Sequence, residues 1–415
     1  MSKPKLLFIT PVPPCIKGPG ISIRAYNNLK ALATEYEIDL LIITISGFKM
    51  PALDPDVQES CNDIIIHIIK PVEYFFKKGM SIIFWPNKPR ESLFVTANRL
   101  REIDQSIFKA HYDMIHVFRI YMVPYVQNML AINSRRYLQL DMDDIESITR
   151  RRLGKLYEIN GELRASRRME READQYEEME MSVLPLFDQI CLCSEIDKHK
   201  IAEKYKYNRV KVVPNIISIP EPEEIDCRST PFNFLFIGLL GYYPNRDAVI
   251  YFCDEILPII KKHAPGTFSL KVVGMDAPAK FAYYLSKFPE VELIGAVADT
   301  GPIYECSNAV VIPLRAGGGT RIKALEAFAY RKPVISTSIG IEGIPAAHEQ
   351  HVLIGNTAED FARQCVRVML DSNLARNLAE NSFALVKSSY TFELIRERLC
   401  KMDKDPIKGD LAREK

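Results

Sequence analysis

Short runs of β-branched and aliphatic residues alternate with longer stretches of helical period from one end of the chain to the other. In the first half, KLLFIT, IDLLIIT, DIIIHII, MIHVFR, YLQLD and QICLC read as strands. In the second half FNFLFIG, LKVVG, VELIG, AVVIPL, PVIST and HVLIG do the same. These runs are apolar on both faces, as strands are when helices cover both sides of a parallel sheet. The pattern breaks at SIPEPEEIDCRSTPFN, where prolines and acidic residues leave neither period. The chain therefore divides into an N-terminal α/β domain over 1–217, a linker over 218–232 and a C-terminal domain over 233–388. A helix over 389–402 and a polar tail over 403–415, expected to be disordered, complete the chain. Two doubly wound domains joined by a hinge imply a cleft, with ligands beyond the carboxyl ends of the strands.

The 415 residues, 47% of them hydrophobic, suffice for two cores. Lys and Arg number 54 against 53 Asp and Glu, so no overall field selects nucleic acid or an acidic polymer. Nine scattered cysteines without a CxxC pair argue against zinc and for a reducing, cytoplasmic setting. The N-terminal apolar run meets Pro11, Pro13 and Pro14 too soon for a signal peptide, and no window reaches membrane-spanning length.

The stretch PLRAGGGTRIKALEAFA, residues 313–329, carries the chemistry. The strand AVVIPL is expected to end at Leu314 and a helix to start near Thr320, with Thr320 as its N-cap. Gly317, Gly318 and Gly319 would let a ligand approach the backbone, and the helix start favours an anion. Arg321 and Lys323 in the first turn cost the helix about 0.3–1 kcal/mol each unless an anion offsets them. Glu326, at the edge of the stripe formed by Ile322, Leu325 and Ala329, needs donors, and sugar hydroxyls would serve. The plainer alternative is an i,i+3 pair between Lys323 and Glu326 beside a simple glycine turn.

Here the sequence resembles the GT-B glycosyltransferases of the large retaining group called family 4. GGGTRIKALEAFAYRKPVISTSIGIEG is similar to that group's GGGTRIKxLEAMAxGKPVVSTxxGxEG signature. LFIGLLGYYPNRDAVIYFCDEILPII and VELIGAVADTGPIYECSNAVVIPL look like its neighbouring segments, in the same order and spacing. The resemblance implies two Rossmann-like domains facing each other across a cleft, a donor domain at the C-terminus and an acceptor domain at the N-terminus. It assigns Glu326 to the ribose hydroxyls of a nucleoside diphosphate sugar. Backbone groups of Gly318, Gly319, Thr320 and Arg321 would touch the sugar and diphosphate, and Gly238 would face the diphosphate. Two departures stand out. Gly318 occupies the place of a donor-sugar glutamate, and Leu239 and Asn245 stand where many members have an arginine and a lysine. Arg321 and Lys323, with Arg315 or Arg246, are then the replacement charge and the catalytic stabilisers.

In the N-terminal half, Gly18 and Gly20 form either an ordinary proline-bounded turn or the family's second donor loop, with Arg24 in the helix after it. LDMDDIES ends a strand. Asp143 corresponds to a family position near the donor sugar or acceptor, so it is counted as catalytic; Asp144 either orients a hydroxyl or caps a helix. His116 and Arg119 line the cleft or pack in the core. The charged segment 150–182 is either a solvated helix or a basic face toward an anionic acceptor. The aromatic and basic stretch YFFKKGMSIIFWPNKPR, residues 74–90, is either core-packing or a peripheral contact with the inner membrane.

The expected activity is transfer of a hexose from a nucleoside diphosphate sugar to a glycan or lipid-linked hydroxyl with retention, in polysaccharide or glycoconjugate synthesis. No metal or separate cofactor and no nucleic acid partner is expected. The resemblance implies attack from the side on which the leaving group departs, with a donor phosphate oxygen taking the acceptor proton. The rivals are a nucleotide-sugar epimerase on the same fold and a non-catalytic relative within an assembly complex.

Overall fold

The computed structural model describes residues 3–44, 53–69, 89–107, 111–131, 136–221, 231–264 and 268–401. The stretch 74–90 apart from its last two residues, most of the linker and the tail therefore lie outside the described residues.

Thirteen strands form two sheets among the described residues. The first holds β1 (Lys5–Thr10), β2 (Glu37–Thr44), β3 (Asp63–Ile68), β4 (Met114–Phe118), β5 (Tyr137–Asp143), β6 (Gln189–Leu192) and β7 (Val210–Val212). The second holds β8 (Phe232–Ile237), β9 (Phe268–Val273), β10 (Val291–Gly295), β11 (Ala309–Ile312), β12 (Val334–Ser336) and β13 (Leu353–Ile354). The strand orders are 3-2-1-4-5-6-7 and 10-9-8-11-12-13, and every pairing is parallel. Both sheets are doubly wound, with the order reversing between β1 and β4 and between β8 and β11. This is the fold expected from the sequence.

Alternation along β1 and β2 explains the packing. Leu7, Ile9, Leu41 and Ile43 enter one core, while Leu6, Phe8, Leu40 and Ile42 enter another on the opposite face. Six helices position the site or join the domains: α1 (Gly20–Ala33), α2 (Glu146–Ile159), α3 (Leu163–Val183), α4 (Tyr243–Tyr251), α5 (Ile322–Ala329) and α6 (Phe392–Cys400). α2 and α3 form a hairpin broken at Gly161, whose φ of 76° is left-handed.

α6 returns to the first domain. Ile395 and Leu399 are buried with Phe8, Leu29 and Leu32, and the Cys400 thiol donates to the Ala31 carbonyl at 3.3 Å. Burying those two side chains contributes about 1.5–3 kcal/mol each. The outward crossing lies at 216–217, because Ile216 packs with the first domain and Ile217 with the second. The Ile217 amide donates to the Tyr390 carbonyl at 3.2 Å, so the outward and return strands of the hinge run side by side.

Candidate active site

The loops after β8 and β11 flank the crevice where the second sheet reverses its order, which is where open α/β sheets bind ligands. β11 ends at Ile312 rather than Leu314, because Pro313 has no amide to continue the ladder. The glycine turn leads into α5, whose N-cap is Arg321 and not Thr320. Thr320 is buried and its hydroxyl has no hydrogen-bond partner among the described residues. Gly317 and Gly319 have φ of 141° and 63°, conformations that strain any other residue.

Three charged groups of the turn and helix have separate surroundings. The Arg321 guanidinium is buried against its own loop, donating to the carbonyls of Gly318 and of Gly319, the latter at 2.9 Å. Its Nε and Nη2 have no hydrogen-bond partner among the described residues, and burial lowers its affinity for the proton. Lys323 Nζ donates to Asn245 Oδ1 at 2.8 Å and lies 4.4 Å from the centre of the Phe236 ring. Burial first, then the neighbouring Arg321, bring its pKa down to about 7. Glu326 accepts from the Tyr304 hydroxyl at 3.0 Å, and burial pushes its carboxyl upward. Tyr304 is in turn stacked on Tyr330, ring centres 4.7 Å apart. Lys323 and Glu326 are thus held by different partners rather than by each other.

Gly238 closes the same corner. A methyl group there would stand 2.7 Å from Lys323 Nζ and 2.8 Å from Asn245 Nδ2. Asn245 orients Lys323 and supplies no charge of its own. Neither of the other candidate cations is free. Arg315 is bound by Asp247, with contacts at 2.6 and 3.0 Å, and donates to Asn160 at 3.0 Å. Arg246 donates to the Leu240 and Gly241 carbonyls. The positive charge facing the crevice rests on Arg321 and Lys323.

The first domain meets this loop through β5 and α2. Arg24 is a structural residue: buried, it pairs with Asp141 at 3.0 Å and donates to Asn215. His116 is a core residue, stacked on Phe8 with Nδ1 2.7 Å from Gln139 Oε1. Asp143 adopts a left-handed φ of 62°, and its carboxylate accepts from Arg119 at 2.8 Å and from the Cys193 thiol at 3.0 Å. Asp144 is the carboxylate turned toward the glycine loop, and it caps no helix, because α2 has Ile145 as its N-cap. Burial pushes its pKa well above the usual carboxylate range, with Glu146 and Asp143 adding to the rise and Arg119 opposing it. Gly18 has φ 151°, and a methyl group on Gly20 would stand 2.8 Å from Ile322 Cδ1. The N-terminal glycine loop therefore abuts the start of α5.

Ion pairs bridge the two domains. Arg152 of α2 donates to the Gly317 carbonyl at 3.0 Å and grips Glu342 with both terminal nitrogens. Lys200 adds a contact to Glu342 at 3.1 Å. Burial alone would raise the Glu342 pKa, but Arg152 and Lys200 hold it at about 2. Lys17 pairs with Asp299 at 2.6 Å on the rim. Sequence reasoning missed Arg152 and Glu342. Partnership across two domains leaves no spacing in the sequence, though the run RRR at 150–152 in front of a charged helix marked the region.

Residues 231–371 match the family described as Glycosyl transferases group 1. The match covers the glycine turn, α5 and the Gly238 loop, and with them Arg321, Lys323 and Glu326. A protein of 44.6 kDa from the cps region of Klebsiella pneumoniae, itself uncharacterized, is 26% identical over 165 residues, 38% of this chain and 42% of that protein. The chain thus matches less than half the length of that curated relative. A glycosyltransferase from Rickettsia africae aligns over 96% of this chain and 97% of its own at 14% identity, with a TM-score of 0.64. Sucrose-phosphate synthase from Thermosynechococcus elongatus aligns over 94% and 96% at 16% identity and TM-score 0.69. Anabaena HepE in complex with UDP-glucose aligns over 95% and 98% at 14% identity and TM-score 0.64. These likenesses show the two-domain GT-B fold for the chain. No described helix is long and apolar enough to cross a membrane.

Proposed function

We propose that the protein transfers a hexose from a nucleoside diphosphate sugar to a hydroxyl acceptor, with retention of anomeric configuration, in polysaccharide or glycoconjugate assembly. The observation that carries this reading is the pair of cations at the α5 start, Arg321 buried and Lys323 half-buried, with no carboxylate bound to either among the described residues. A diphosphate is the ligand that would neutralise both, and the group would be the leaving group of the reaction. Glu326, held by Tyr304 one helical turn further along, would accept hydrogen bonds from ribose hydroxyls. Gly18 and Gly20 would close over the donor from the first domain.

The chain's own contribution is positioning and charge. Burial strengthens the fields of Arg321 and Lys323 on the phosphate oxygens, where charge grows as the glycosidic bond breaks. Front-side attack, with a donor phosphate oxygen receiving the acceptor proton, needs no protein nucleophile. The acceptor would be a glycan or lipid-linked sugar, in keeping with a relative from a cps region.

Calorimetry with UDP, GDP, ADP and dTDP, and then release and transfer assays with the matching sugars, tests the reading. One diphosphate should bind in the micromolar range, and Glu326→Ala and Lys323→Ala should each weaken it at least about tenfold. Anabaena HepE is seen with UDP-glucose, so uridine is the first base to try. Absence of binding to every diphosphate would refute the proposal.

A further inference from the structure

The outward face of α3 carries charges that the chain itself leaves largely unanswered. Ser166, Met169, Ala173, Tyr176 and Val183 are buried, and the opposite stripe of the helix is exposed. In its first half that stripe holds Arg164, Arg167 and Arg171, none of them paired with a carboxylate among the described residues. In its second half it holds Asp174 and Glu178. Glu178 has no ion pair or side-chain hydrogen bond among the described residues. Asp174, 64% exposed, meets only Arg151, at 3.0 Å.

Within one chain this order is unfavourable. Arg167 and Arg171 are like charges four residues apart, as are Asp174 and Glu178, and such pairs repel on a helix surface. α3 also has no acidic residue in its first turn and no basic residue in its last, which opposes its dipole.

The same charges are arranged about a centre. Arg167 and Glu178 lie equally far from the point between Glu172 and Ala173, and so do Arg171 and Asp174. Leu163 and Met181 are centred within half a residue of that point. They are five helical turns apart, hence on one side of the helix and about 27 Å from each other. Both are more than half exposed, as are Ile159 and Leu186 beyond the two ends of α3. A second α3 laid antiparallel on the first would set Arg167 against Glu178 and Arg171 against Asp174, each twice, with Leu163 meeting Met181 at either end.

We infer that the protein forms a two-fold dimer through α3, each copy contributing the same face. Charge complementarity selects the partner. An anionic surface would satisfy the arginines and be repelled by Asp174 and Glu178, whereas a second copy satisfies both halves. One helix from each protomer is a small contact beside the roughly 1,600 Å² of a standard interface, so the dimer is weak and salt-sensitive, in the micromolar range. It braces the α2–α3 hairpin, whose Arg152 holds the Gly317 carbonyl and Glu342 of the other domain.

Sedimentation velocity of the full chain from about 1 to about 200 μM, in about 50 mM and about 500 mM NaCl, tests the pairing. Wild type should pass from monomer to dimer across that range at low salt, and associate at least about fivefold more weakly at high salt. Arg167→Glu and Glu178→Arg each set like charges face to face twice and should weaken the dimer at least about tenfold. An equimolar mixture of the two variants should recover it, because both contacts of the mixed pair then join a glutamate to an arginine. The double variant R167E/E178R should recover it alone. Such recovery also shows that the variants are folded, as their exposed positions lead one to expect. Wild type that stays monomeric at low salt overturns the inference, as does a dimer indifferent to the single reversals or not restored by mixing. Monomer that instead sediments with phosphatidylglycerol vesicles, and ceases to in Arg167→Glu, would assign the arginines to a membrane and overturn it likewise.

Discussion

Lys323 makes the pH dependence of donor binding predictable in sign and size. In the free protein its pKa is about 7, lowered by burial and by Arg321. A diphosphate favours the charged ammonium, so binding should return the pKa toward the ordinary lysine value of about 10.4. Free protein at about pH 7 is half protonated at this site and at about pH 9 about one-hundredth protonated. The affinity should then fall roughly 50-fold over that interval, about 2.3 kcal/mol, before discounting for solvent in the cleft. At least about tenfold should survive that discount. The ligand should be a sugar nucleotide, whose phosphates do not titrate near neutrality as a terminal phosphate does. Calorimetry at about pH 8 in two buffers of different ionisation enthalpy should report uptake of about one proton per ligand. Lys323→Arg keeps the charge without the titration and should bind with a flat profile. Stability without ligand runs the other way. Because the folded pKa is depressed, the native state binds fewer protons than the unfolded chain between about pH 7 and about pH 10, so this group makes stability fall with proton uptake by the unfolded chain at the acid end of the window and recover as pH rises across it. Flat binding in wild type, or the same slope in Lys323→Arg, would refute the reasoning.

Four further outcomes rest on particular contacts. Tyr304→Phe strips Glu326 of its donor and should weaken nucleotide binding by about three- to tenfold, read by calorimetry, with melting temperature shifted only slightly. Gly318→Ala places a methyl 1.9 Å from Thr149 Oγ1, so it should either separate the domains or cost about 1–3 kcal/mol in denaturant unfolding, with transfer activity lost in both cases. Arg152→Ala removes the grip on Gly317 and Glu342; small-angle scattering should show a larger radius of gyration, while unchanged scattering would show that the bridge does not hold the cleft. Asp141→Ala strips the buried Arg24 of its hydrogen-bonded carboxylate and leaves it only Asp143 at 3.6 Å, so it should destabilise the first domain by about 3 kcal/mol, measured by denaturant unfolding.

The sheets were legible because strands of parallel sheets write themselves as short apolar runs, and the twelve runs all became strands, the part-exposed edge strands β3 and β10 included. The one missed, β7, spans only Val210–Val212 at a sheet edge, with Lys211 in its middle. The glycine turn was legible because missing side chains and excess charge at a helix start are local facts. The cap was misplaced by one residue, since the choice between Thr320 and Arg321 depends on a backbone angle that composition does not reveal. The same limit applies to LDMDDIES. Strand alternation alone does not say which aspartate faces the cleft. The positive φ at Asp143 turns that carboxylate into the Arg119 and Cys193 network and leaves Asp144 against the glycines. Partners of Arg24 lie more than a hundred residues away, and nothing near it in sequence marks it as structural.

The return of α6 to the first domain fixes an order of events on the ribosome. Ile395 and Leu399 cover Phe8 and Leu29, so the core built from the earliest residues stays uncovered until the last described helix emerges. At about 5–20 residues per second, translation from β8 to the end of α6 takes on the order of ten to thirty seconds. During that time the second domain, which needs nothing from α6, can complete its sheet. The domain made first is finished last, and a ribosome that stalls within the final helix releases a chain whose nucleotide half is folded and whose other half still exposes an apolar groove.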